Sequence, residues 1–232
     1  MYINKSKTYL SLILTSTTFI CGCTPKEDPT PEQLCRSFLK AEDYIETIAN
    51  CDLAIEENEY NSLAFINRGI AKFNLNRKKE ALQDLNKGID YLPYDSNKSL
   101  KYKSYFNRCV VKNKLGDFYT AISDCNIAIQ FKPEIARTYF ERGISKQNLG
   151  EAYEALKDFS KAITIDPSNP KLYRARASAK NILGDKKGSC KDWKKASTLG
   201  DKGSKDIYDD RCVIANPYKP KPEPLWKDKL SR

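Results

Sequence analysis

The side chains of this chain that could do chemistry are eight cysteines and two ordered rows of charge, with no histidine beside them. Without imidazole a Ser/His/Asp or Cys/His nucleophile has no base, and most zinc sites lose their commonest neutral ligand. No Cys-x-x-Cys pair, phosphate-cradling Gly-rich loop or dinucleotide turn occurs, so no motif argues for an enzyme, a metal site, a cofactor or a small-molecule substrate. The charges are periodic instead: Arg68, Arg108, Arg142 and Arg176 form one column, and Asp84, Asp124, Asp158 and Asp192 another.

Such columns require a repeated element to carry them, and internal similarity supplies it. SLAFINRGIAK at 62–72 parallels ARTYFERGISK at 136–146, and each is followed by a turn and a second apolar-periodic run ending in Pro. Small residues recur where two helices must approach closely: Gly69, Cys109, Gly143 and Ala177 in one column, Ala81, Ala121, Ala155 and Ser189 in the next, and Gly88, Ala128, Ala162 and Ala196 in a third. Pro93, Pro133 and Pro167 end the second helices, because Pro cannot continue them. Period and columns resemble the tetratricopeptide repeat over most of the chain. That resemblance implies an all-α, right-handed superhelical solenoid of helical hairpins, with five units over 32–203, the first degenerate. A capping helix over 204–212 and a Pro/Lys-rich tail over 213–232 follow. The segment Ser96 to Lys101 is extra between the second and third units and reads as an exposed loop. It overlaps Asp95-Ser-Asn97-Lys-Ser99, which matches an extended glycosylation sequon and makes Asn97 a modification candidate.

The first unit has Leu34 and Asn50 in the Arg and Asp columns and so lacks both partners at once. An ion pair inside each of the other hairpins explains this better than a polyanion site made of a row of Arg. Cys35 and Cys51 occupy the same two columns as Cys109 and Cys125, each pair lying about equally far before and after its hairpin turn. At ~1.5 Å rise per residue both members stand roughly 12 Å from the turn, level on facing helices. The expected disulfides are therefore Cys35/Cys51, Cys109/Cys125 and, between the fifth unit and the cap, Cys190/Cys212.

The N-terminus has Lys5 and Lys7 before an apolar stretch too short to span a membrane convincingly. Its ending, Ile20-Cys21-Gly22-Cys23, resembles the lipobox of bacterial lipoproteins. The resemblance implies a signal peptide over 1–22, lipidation of Cys23, a tether over 23–31, and a place at the bacterial outer membrane, facing periplasm or cell surface. Loss of Lys5 and Lys7 with the signal lowers the formal charge from +10 to +8. An exported protein with that balance meets acidic proteins and lipid rather than nucleic acid. The remaining six thiols are an even set suited to an oxidising compartment.

The expected function is a membrane-anchored scaffold whose concave groove, lined by the first helix of each unit, binds a protein or peptide partner of the cell envelope. A surface host-interaction factor and an accessory of cell-wall metabolism are the other readings. Candidate groove residues are Asn67 and Asn74, then Lys103, Asn107, Asn113 and Lys114, then Arg137 and Asn148. Asn amides match a peptide backbone, and the cations favour acidic groups. An apolar strip of Ile66, Ile70, Phe106, Val110, Phe140 and Ile144 runs beside them.

Overall fold

A computed structural model describes residues 28–213, and Cys23, the signal segment and the tail expected over 213–232 lie outside or at the edge of that range. The described residues form eleven α-helices in paired hairpins: α1 (Pro31–Lys40) with α2 (Tyr44–Glu57), α3 (Ser62–Asn74) with α4 (Lys78–Asp90), α5 (Lys98–Leu115) with α6 (Phe118–Phe131), α7 (Ala136–Asn148) with α8 (Ala152–Ile165), and α9 (Pro170–Ile182) with α10 (Lys186–Thr198). The short α11 (Lys202–Tyr208) and a π-helical turn, Asp209–Val213, close the far end. This is the all-helical solenoid that the repeat pattern implies. The cap runs slightly beyond the expected 204–212, since Asp201 caps α11 by accepting from the Ser204 amide.

Local chemistry sets the ends of the helices. Thr30 and Gln33 form a reciprocal capping box with Pro31 at the first helical position. Asp43, Asn61, Asp117, Asn169 and Asp185 each accept a first-turn amide proton at the start of α2, α3, α6, α9 and α10. Each hairpin turns through one residue of positive φ, occupied by Glu42, Asn76, Gly116, Gly150 and Gly184 in successive units. Glycine takes that conformation without steric cost, and Glu42 at this place is a further sign of the first unit's degeneracy.

The expected loop from Ser96 to Lys101 is shorter than its sequence suggests. Helix α5 begins at Lys98, and the Asn97 side chain caps it by accepting from the Leu100 amide at 2.9 Å. A capping Asn, which reads as loop chemistry in sequence, is here the start of an extended helix. Asn97 itself is exposed.

Inside every hairpin one residue of the first helix faces one of the second, and their volumes are complementary. A Cβ on Gly69 would meet Leu85 Cγ at 3.0 Å, and one on Gly143 would meet Phe159 Cε1 at 2.6 Å. Ala177 and Trp193 occupy the equivalent places, both buried. In the first and third units the two positions are cysteines, and a bridge fills the space instead. Cys35–Cys51 has Cα atoms 5.0 Å apart and Cys109–Cys125 5.5 Å, all four residues fully buried. Cys190–Cys212, with a Cα separation of 5.7 Å, ties α10 to the terminal turn and is only half-buried.

Candidate functional site

Four of the five hairpins contain a buried carboxylate held by two cations. Arg68, Arg108, Arg142 and Arg176 each grip the Asp of their own unit, Asp84, Asp124, Asp158 and Asp192, through Nε and Nη2. A lysine one turn further along the same first helix completes each site: Lys72, Lys112, Lys146 and Lys180 lie 2.7 to 2.9 Å from the same carboxylates. The Asp side chains are at most 6% exposed, so this geometry leaves no free acid for proton transfer. The remaining Arg nitrogen reaches back to the second helix of the preceding unit, onto Asp52, Asn86, Asn126 and Ser160 in turn. The row of arginines is thus a strut within and between units and offers no surface for a polyanion.

The inner wall is made by the odd-numbered helices, which touch one another from α1 through to α9. On it the candidate groove residues divide into two groups. Asn67 and Asn113 are not available to a ligand. Asn67 is fully buried, donating to Cys35 Sγ at 3.7 Å and accepting from Lys103 Nζ at 2.8 Å. Asn113 is buried, with its amide on the Glu141 carbonyl at 2.9 Å and its oxygen accepting from Ser145. Both lie where consecutive first helices meet, and contact between units covers them. Asn74, Asn107 and Asn148 point outward enough to serve; each donates to the carbonyl four residues earlier and keeps its amide oxygen free of intramolecular partners. Lys114 and Arg137 are exposed, and the Arg137 guanidinium lies 5.2 Å from the centroid of the Phe106 ring. The apolar strip divides likewise: Ile66, Phe106 and Val110 are core, while Ile70, Phe140 and Ile144 are half-buried at the wall.

Lys103 departs from the pattern of paired cations. It is mostly withdrawn from water, its ammonium has one hydrogen bond, to the neutral Asn67, and among the described residues no carboxylate pairs with it. Burial, reinforced by the charges of Arg36 and Lys40, pulls its pKa down to about 8. A shallow cleft of 240 Å³ opens beside it, lined by Arg36, Leu63, Ser99 and Leu100. Arg36 of α1 thus lines the same cleft as Lys103 of α5, Lys40 adds its charge nearby, and no acidic residue among the described residues lines the cleft. The expected groove residues include Lys103 but not Arg36 or Lys40, which belong to the degenerate first unit. A second, larger cleft of 380 Å³ lies at the other end of the wall, between α7, α9 and the cap.

Among the described residues no cluster of His, Cys, Asp or Glu could hold a metal, and no helix is long and apolar enough to cross a membrane. The family model for the tetratricopeptide repeat matches residues 136–169. No curated protein sequence matches the chain. Solved structures do. A crystal structure of MamA superposes with a TM-score of 0.63 at 18% identity, covering 74% of this chain and 97% of that one. MamA from Desulfovibrio magneticus RS-1 gives 0.65 at 16% identity, covering 74% and 96%. YrrB, described as a TPR protein with an unusual peptide-binding site, gives 0.64 at 18% identity, covering 76% and 88%. At such identities the likeness is one of fold. The fourth unit is a tetratricopeptide repeat, and the described residues have the paired-hairpin fold of tetratricopeptide-repeat solenoids.

Proposed function

We propose that this protein is a lipid-tethered scaffold of the bacterial envelope that captures an acidic segment of a partner protein on the inner wall of its solenoid. The observation that carries the reading is Lys103. Four buried aspartates each hold two cations, so the fold supplies anions where it buries charge, yet among the described residues none pairs with this largely buried ammonium. A buried ion lacking a counter-charge costs stability, and a ligand carboxylate in the cleft beside Lys103 and Arg36 would remove that cost. Asn107 and Arg137 lie further along the same wall, ready for the backbone and a second acidic group. A peptide-binding site on YrrB, a protein of the same fold, is consistent with this use. Inner-face residues that merely solvate the wall would account for Asn74 or Lys114 but not for a desolvated cation.

The test is capture of partners from cross-linked envelopes, followed by direct titration with the acidic peptides recovered. Arg36→Ala with Lys103→Met removes capture, Asn107→Ala with Arg137→Ala weakens it, and both leave helix content intact. Undiminished capture by the first pair of changes refutes the site. The tether rests on the lipobox alone, through Cys23. Cys23→Ala abolishes metabolic labelling with fatty acid and moves the protein out of the detergent phase; labelling that persists overturns the anchor without touching the peptide site.

A further inference from the structure

The cleft between α7, α9 and the cap is built from parts that the peptide site near Lys103 does not use. Its lining joins the apolar Phe140, Ile144, Trp193 and Ile207 of α11 to the polar Ser178 and Asn181. Its rim carries Lys171 and Arg211, both exposed and, among the described residues, without an acidic partner, whereas the neighbouring Arg174 is already paired with Asp201 at 3.1 Å. Gln147 also lines it, and its Oε1 is the one buried side-chain acceptor among the described residues with no hydrogen-bond partner. Apolar side chains in the lining, two exposed cations and an unsatisfied acceptor together match a ligand with an apolar group, an anionic group and an N–H donor.

The end wall of this cleft packs on α10, and one bridge ties its last turn to that helix. Of α11 and the terminal turn, Ser204 alone is fully buried. Beyond it the turn is fixed by Cys212 to Cys190, next to Arg211 on the rim. The other two disulfides are sealed inside their hairpins, while this one is half-accessible. We propose that the cleft is a second binding site, for a segment of a partner protein that carries an apolar side chain beside a carboxylate, and that the Cys190–Cys212 bridge latches it. A dithiol reductant opens the latch: one of its thiolates attacks a bridge sulfur, its second thiol displaces the mixed disulfide, and two cysteine thiols remain with the reductant oxidised. The terminal turn then leaves the wall, taking Arg211 with it.

The probe is 8-anilinonaphthalene-1-sulfonate, which has apolar rings, a sulfonate and one N–H, titrated into the full chain. Limited dithiothreitol, with alkylation mapping, labels Cys190 and Cys212 while the other four bridged cysteines stay unlabelled, and probe affinity falls several-fold. Cys190→Ser with Cys212→Ser reproduces that fall without reductant. Lys171→Glu with Arg211→Glu also produces it, with the bridge intact. Lys103→Met leaves probe binding unchanged, which separates this site from the acidic-peptide site. Simultaneous labelling of all six cysteines overturns the latch. Probe binding that is indifferent to the rim changes, or that rises on reduction, overturns the binding site.

Discussion

Replacing Lys103 by Met should make the protein more stable while abolishing capture of its partner. Lys103 has a pKa of about 8 against an ordinary 10.5, because folding takes its ammonium from water and sets it near Arg36 and Lys40. A lowering of this size corresponds to about 3 kcal/mol at neutral pH as an upper value. Against that stands the hydrogen bond to Asn67, whose oxygen Met cannot satisfy, worth ~1 kcal/mol. The difference leaves a gain of about 2 kcal/mol, or roughly 4 to 8 °C in melting temperature for a chain of this length.

The pH dependence makes the test specific. A lysine whose folded pKa is depressed binds fewer protons folded than unfolded between about 8 and 10.5, so the wild type gains stability as pH rises through that window. Met cannot titrate. The advantage of Lys103→Met in urea unfolding is therefore full below pH 8, crosses zero before pH 10.5 and ends as a deficit of about 1 kcal/mol from the lost hydrogen bond, with the same denaturant slope for both proteins. A variant less stable than wild type at pH 7, or an advantage that ignores pH, refutes the claim that the ammonium is desolvated and unpaired.

Three further outcomes follow from the hairpin interiors. Asp158→Ala orphans both Arg142 and Lys146 and costs about 3 kcal/mol, while Arg142→Ala leaves Lys146 on the carboxylate and costs less. In urea unfolding the double-mutant cycle should show about 1 to 2 kcal/mol of coupling, and strict additivity would dismiss the pair. Gly143→Ala drives a Cβ to 2.6 Å from the buried Phe159 ring, and its overpacking cost of ~1–3 kcal/mol exceeds any helix-propensity gain; a raised melting temperature would show that the ring yields. Burial alone would raise the Asp192 carboxyl, but Arg176 and Lys180 outweigh it and hold the pKa below its ordinary 3.8. That stabilisation is present above pH 3.8 and is lost as pH falls through the folded value, so the deficit of Asp192→Asn measured at pH 6 shrinks in acid; a constant deficit would remove the ion pairs as its cause.

The hairpin interior was legible in the sequence because one unit contains all its partners at a fixed spacing. Arg and Asp columns that vanish together in the first unit, and cysteines that appear together in the first and third, point to contacts between the same two helices. Complementary volumes at Gly69 and Leu85, or Gly143 and Phe159, follow the same logic. The second cations did not emerge that way. Lys72, Lys112, Lys146 and Lys180 are one turn beyond the Arg, and a lysine at such a place reads as a solvated face until the Asp is seen to lie between the two.

The inner wall resisted sequence reading for a different physical reason. Its exposure is fixed by contact between first helices of neighbouring units, and the closeness of that contact varies along the stack. Asn67 and Asn107 share a column, yet Asn67 is sealed against Cys35 and Lys103 while Asn107 is half-open. Lys103 shares its column with Leu63, Arg137 and Lys171, and only Lys103 is a desolvated cation facing a degenerate first unit. Repetition therefore predicts what each unit does for itself and is silent on what units do to one another. A binding site needs the second kind of contact, since a residue must be held by neighbours yet left short of one partner. The places where the repeat departs from its own pattern, Arg36 and Lys40 in the first unit and the cap after the fifth, are accordingly where both proposed sites lie.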